Sequence, residues 1–184
     1  MIEFERMKAG LLYDPANEDL IALRESTKHK LERFNNSPST NEAIQKQAIE
    51  ELFGTVGEQV SLNRNFWCDY GINIKVGDNF YANHDCVILD CAEVNIGNNC
   101  LIGPQVGIYT ACHPLDPIER RSGKEFAKPI TIGNDCWIGG NATINPGVTL
   151  GNNVVVASGS VVTKSFGDNV VIGGNPARVI KHIE

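Results

Sequence analysis

Few residues in this 184-residue chain combine a reactive side chain with a telling position, and His113 leads them. It is followed by Pro114 and a segment, PLDPIERRSGKEFAKP (residues 114–129), with three prolines and mixed charge. An imidazole is well matched to taking a proton from a hydroxyl near neutral pH, and such general-base assistance is worth on the order of a hundred- to ten-thousand-fold. A loop histidine bonded for local structure fits the residues alone equally well. Asn83 is a neutral amide that can donate to an oxygen becoming negative in a tetrahedral intermediate, or satisfy backbone groups at a turn. Asp69 offers a carboxylate able to accept two hydroxyl hydrogen bonds. Lys164, Arg178 and Lys181 are cations near the C-terminus that suit phosphates together, although each alone also reads as a solvated charge.

Something must hold these groups, and the sequence says what. From Ile96 to Val162 an aliphatic residue returns every sixth position: Ile96, Ile102 and Ile108, then Ile132, Ile138, Ile144, Leu150, Val156 and Val162. Four positions after each comes a small or medium residue, as at Cys100, Val106, Cys136 and Ala142. A period of six fits neither a helix face nor a two-sided strand, but it fits a chain that turns a corner every six residues. Three sides make a triangular coil, a parallel β-helix in which Ile96, Ile132 and Leu150 stack on one inner edge. Glycine often follows the aliphatic, and its freedom of backbone angle suits a corner. A looser count, Val76, Ala82, Ile88 and Val94, precedes the main run, and the register then jumps by two to Ile96. That jump marks either a corner adjusted for function or a bulge.

Residues 1–58 lack the period and read as a helical cap, with residues 59–184 forming the coil and ending in a basic tail. Leu20, Leu23, Thr27, Leu31 and Phe34 recur at helix spacing up to Asn35 and Asn36, and Pro38, Ser39 and Glu42 spell a capping box for a second helix. The prolines and the Ser-Gly pair of 114–129 cannot extend a coil wall, so that segment is expected to project as a loop. A formal net charge of −6 argues against a nucleic-acid partner, and no apolar run is long enough to span a bilayer. Of six cysteines, Cys86, Cys100, Cys112 and Cys136 fall at inner coil positions, with Cys68 and Cys91 less settled. With no CxxC pair, they point to packing in a reducing, cytoplasmic setting rather than to disulfides or a metal.

The hexads together with AGLLYDP, FWCDYG, NFYANHDC, YTACHPLD, KPITIGNDCWIGG, INPGVT and VVTK followed by GGNPARVI resemble the maltose and galactoside O-acetyltransferases, within the hexapeptide-repeat acyltransferases. The likeness covers essentially the whole chain, and the maltose branch is nearer. It implies a left-handed coil, a homotrimer with active sites in grooves between subunits, and direct transfer of acetyl from acetyl-CoA to a sugar hydroxyl, with no metal required. On that likeness His113 is the general base and Asn83 steadies the reacting centre. Asp69, Asp14 and Arg24 meet the acceptor, and Asn83, Gly140, Ser158, Thr163, Lys164, Arg178 and Lys181 meet coenzyme A. Asp14 and Arg24 have plain alternatives, a turn ahead of Pro15 and a solvated helix face. Cys91 departs from the galactoside enzymes, which carry an acceptor-binding aspartate there. Rival readings are transfer to another acceptor, such as an antibiotic, an amino sugar or serine, and a non-catalytic trimeric scaffold. A metal-dependent hydrolase on the same coil is disfavoured, since only His29, His84, His113 and His182 are available.

Overall fold

In the computed structural model, which describes residues 2–37 and 42–184, the hexads form a three-faced parallel coil. The first face stacks Thr55–Val56, Ile74–Val76, Val94–Ile96, Ile130–Ile132 and Thr149–Leu150. The second runs from Ser61–Leu62 through Trp137–Ile138 to Val170–Gly174, and the third from Trp67–Cys68 to Val161–Val162. Register follows the period. Ile132 pairs with Ile96 on one side and Leu150 on the other, while Ile138 lies between Ile102 and Val156, and Ile144 between Ile108 and Val162. All nine side chains are buried in one continuous core. Parallel pairing begins at Thr55–Val56, so the last residues of the 1–58 segment already run in the coil.

The corners differ in how they are built. At the first corner, Asp78, Asn98, Asn134, Asn152 and Asp168 each accept, through Oδ1, the backbone N–H of the equivalent position one turn away, at 2.7–2.8 Å. The next residue there, Asn79, Asn99, Asp135, Asn153 or Asn169, takes a positive φ of 52–58°, an angle that Asn and Asp tolerate. Left-handed angles at this corner are therefore met by Asn and Asp, with Gln59 in the first turn, and the glycines answer a different need. A Cβ on Gly97 would lie 2.5 Å from Asn134 Oδ1 and 2.8 Å from the Gly133 carbonyl carbon, so glycine is there for close stacking of turns.

The third corner is the enlarged one. Eight positions separate the stacked residues Cys68 and Val76, and Ile88 and Ile96, where six separate Ile144 and Leu150. The register jump is thus a widened corner. Buried Asp90 braces it: Oδ1 accepts from the amides of Asp69 (3.0 Å) and Tyr70 (2.9 Å), and Oδ2 from Asn73 (3.3 Å). One turn later the corner opens into residues 110–129. This segment projects, as expected, but is ordered as a hairpin with a short helix, Pro117–Arg121, capped by Asp116. Ala111 pairs with Ala127 and Cys112 with Phe126 in antiparallel register. Cys112 is therefore a partly exposed hairpin residue, not the inner wall residue its period suggests.

Three helices form the cap: α1 (Ile2–Lys8), α2 (Glu18–Asn36) and α3 (Glu42–Leu52). Asn17 caps α2 by accepting from the Asp19 amide, and the proposed capping box of α3 lies outside the described residues. Leu31, Phe34, Ile49 and Leu52 close the open end of the coil core. A smaller core of Met7, Tyr13, Leu20, Tyr70, Cys91, Ala92 and Ala127 joins α1, α2, the widened corner and the hairpin.

Candidate active site

That smaller core carries a cleft of about 370 Å³, lined by Pro15, Arg24, Asp69, Tyr70, Cys91, His113 and Glu125 among others. Each side chain arrives from an element already described. Asp69 and Tyr70 sit on the loop that Asp90 braces, Arg24 on α2, and His113 and Glu125 directly beyond the paired strands Ala111–Cys112 and Phe126–Ala127 of the hairpin. Arg24 is not free to swing as a solvated charge: Nη1 donates to the Tyr70 hydroxyl at 2.7 Å and Nη2 to the Pro15 carbonyl at 2.6 Å. Burial raises the Asp69 carboxyl above its ordinary range, opposed by the Cys91 thiol, which donates at 3.5 Å, and by the Arg24 charge. Burial also pushes Tyr70 up to about 12 and Cys91 upward, so both remain protonated donors near neutral pH.

His113 stands at the rim with its side chain 58% exposed and Nε2 3.9 Å from Glu125 Oε1. Glu125 Oε2 accepts from the buried Tyr13 hydroxyl at 2.9 Å. The cleft therefore unites a solvent-accessible imidazole, two carboxylates and an anchored guanidinium. Such a set can bind several hydroxyl groups and remove a proton from one of them.

Of the sequence-derived candidates, His113, Asp69 and Arg24 line this cleft. Asp14 is exposed beside it, with Oδ1 accepting from the Ala16 amide at 2.9 Å, which is the turn role. Asn83 lies at the second corner, where its Oδ1 accepts from the His84 amide at 2.8 Å. Gly140 and Ser158 follow Asn83 along that corner, since strands Tyr81–Ala82, Trp137–Ile138 and Val154–Val156 belong to one face. Arg178 pairs with Gly173 and Lys181 with Val171 on the last two strands of the same face. Thr163 and Lys164 occupy the third corner instead, beyond Val161–Val162. Within one chain, then, Asn83, Gly140 and Ser158 stand at a different corner from His113.

Glu125, Tyr13, Tyr70 and Asp90 were not apparent as site residues from sequence. No signal in the sequence marked Glu125: it directly precedes the Phe126–Ala127 strand, whose antiparallel pairing with Ala111–Cys112 leaves no trace in the hexad count.

Residues 6–57 match the family described as maltose acetyltransferase hexapeptide capping motif, and residues 129–164 the hexapeptide repeat of succinyl-transferase. The galactoside O-acetyltransferase of Escherichia coli (strain K12) is 42% identical over 179 residues, covering 97% of this chain and 88% of its own length. A maltose O-acetyltransferase structure from Clostridium difficile 630 superposes with a TM-score of 0.98 at 46% identity, covering 100% of this chain and 98% of its own. A galactoside acetyltransferase solved in complex with coenzyme A gives 0.96 at 41% identity, covering 100% of this chain and 92% of its own. Likeness of this extent, over cap, coil and hairpin together, makes the chain a member of the hexapeptide-repeat acyltransferases.

Proposed function

We propose that this chain is an acetyl-CoA-dependent O-acetyltransferase that moves an acetyl group directly to a hydroxyl of a maltose- or glucose-type sugar, with His113 as general base. The observation that carries this reading is the exposed imidazole at the rim of a cleft whose other polar groups suit a polyol. Coenzyme-bound relatives of the same fold support the donor. Asp69 and Arg24 are assigned to acceptor hydroxyls, and Asp14 to the cleft's outer edge. The imidazole takes the hydroxyl proton as the oxygen attacks the thioester carbon, and Asn83 donates to the resulting oxyanion. The C–S bond then breaks, and the departing thiolate receives the proton from the imidazolium.

Gly140 and Ser158 are assigned to the pantetheine arm, where small residues leave room beside the coil. Thr163, Lys164, Arg178 and Lys181 are assigned to the phosphate end. These residues stand at two corners, as do His113 and Asn83, so a complete site draws on two copies of the chain. Face chemistry favours such an assembly. Outward residues of the first face are polar, among them Lys75, Asn95, Thr131 and Thr149. The second face presents Leu101 and Trp137 at 49% and 55% exposure, and the third presents Trp67 at 48%. Two unlike apolar faces suit a closed ring of heterologous contacts, here a homotrimer. Six free cysteines suit a reducing, cytoplasmic setting, and no helix among the described residues is long and apolar enough to cross a membrane.

The test is thiol release from acetyl-CoA across a panel of maltose, glucose, galactosides, an amino sugar and serine. Release that depends on maltose or glucose confirms the assignment, and release with only a galactoside, the amino sugar or serine, or with none, rejects it. Replacing Arg178 and Lys181 together with Ala should weaken coenzyme binding and flatten its salt dependence, as expected if the two cations meet phosphates. An unchanged dissociation constant removes both from the coenzyme site.

A further inference from the structure

The cleft groups assigned to the acceptor are held from behind, and we propose that Asp90 is a positioning residue that fixes Asp69 and Arg24 as one acceptor-binding unit. The inference rests on the reading of the cleft as the acceptor site. Asp90 is fully buried in the widened corner between Ile88 and Ile96, yet its carboxylate serves the corner one turn earlier, between Cys68 and Val76. Oδ1 takes the amides of both Asp69 and Tyr70, and Oδ2 that of Asn73, so residues 69–73 close around the carboxylate. The Asn73 side chain donates back to the Asp90 carbonyl at 2.7 Å, and Gly71 makes the turn between them at a φ of 71°.

From this clasp two lines run to the cleft. Along the first, Asp69 has its amide on Asp90 and its Oδ2 on the Cys91 thiol at 3.5 Å, so consecutive residues hold its main chain and its carboxylate. Along the second, Tyr70 is held at three points. Its amide donates to Asp90, its carbonyl accepts from the Thr27 hydroxyl at 2.9 Å, and its own hydroxyl accepts from Arg24 at 2.7 Å. A shift at Asp90 therefore moves carboxylate and guanidinium together. The clasp is also tied to the strand that leads to His113. Buried Thr110 donates its hydroxyl hydrogen to the Leu89 carbonyl at 2.6 Å and accepts from the Ala92 amide at 2.9 Å, on either side of Asp90. A side chain from each turn thus pins the corner before it, which keeps the acceptor groups in register with the imidazole. Recognition of hydroxyl groups depends on such support, because a site loosened by about 1 Å loses its aim.

The test measures kcat, KM for maltose and glucose, and coenzyme A affinity in Asp90→Asn, Asp90→Ala and Tyr70→Phe, per folded molecule. Asp90→Asn keeps one oxygen for the Asp69 and Tyr70 amides and is expected to raise acceptor KM about two- to tenfold, the range that one hydrogen bond spans. Asp90→Ala removes the clasp and is expected to raise it further, on the order of tenfold or more. In both, kcat at saturating acceptor and coenzyme affinity should stay within about twofold of wild type, as expected when only acceptor binding is lost. Tyr70→Phe cuts the line to Arg24 alone, so Asp90→Asn should raise KM by a smaller factor in that background than in the wild type. Asp90→Asn decides the matter should Asp90→Ala fold poorly. An unchanged KM, a fall in kcat without a rise in KM, weakened coenzyme binding, or full additivity with Tyr70→Phe would overturn the proposal. Transfer to neither sugar by the wild-type protein would instead overturn the acceptor reading, and the proposal with it.

Discussion

The first and third corners of the coil solve the same problem, turning the chain through one side of a triangle, with opposite means. The first repeats one device at every turn, an Asn or Asp that accepts from its neighbour's amide, and so each turn supports the next. The third abandons the repeat. It inserts residues, braces them with a buried carboxylate, and finally lets the chain out into a hairpin. Regular pairing makes a rigid wall, whereas the irregular corner exposes side chains that the wall would cover. The candidate acceptor cleft lies where the period fails, on a scaffold that the period makes stiff.

This contrast can be broken from either side. The largest stability effect is expected in the wall: Ile132→Ala, between Ile96 and Leu150, should cost about 2–5 kcal/mol, read from denaturant unfolding, with kcat per folded molecule unchanged. Asn134→Ala removes one rung of the ladder and should cost about 0.5–1.5 kcal/mol, again with transfer intact, because the freed Asn98 amide can reach water. A loss of kcat in either variant would show that the wall does more than hold the site.

A pH-dependent effect is expected at the third corner. Burial pushes the Asp90 carboxyl up to about 7. The folded chain then holds a proton there that the unfolded chain releases above about pH 4. Stability from this group is complete below that pH and is lost as pH rises through about 7, on the order of 1 kcal/mol per pH unit. Asp90→Asn removes the ionisation, so the gap in unfolding free energy between the two proteins should change with that slope. Parallel stability curves from pH 4 to 8 would contradict the role given to burial.

How much could be read beforehand follows the same division. The stacking of Ile96, Ile132 and Leu150 was legible because a six-residue period admits little else, and His113 because the period stops beside it. Asp69 and Arg24 reached the candidate set through resemblance, and their meeting with His113 depends on the cap folding back over the third corner. Glu125 was hidden because pairing inside an interruption leaves no mark on the hexad count. Asp90 was hidden behind a two-residue shift that a bulge would equally explain. The glycines were visible, but their reason was not: space between turns is a property of stacked coils, and no single turn shows it.

The most direct test of the account is His113→Ala, followed by single-turnover acetyl transfer and coenzyme binding in the same preparation. Transfer should fall about a hundred- to ten-thousand-fold while coenzyme affinity stays within about twofold of wild type, as expected if the imidazole moves a proton and holds nothing else. Transfer at the wild-type rate would contradict it.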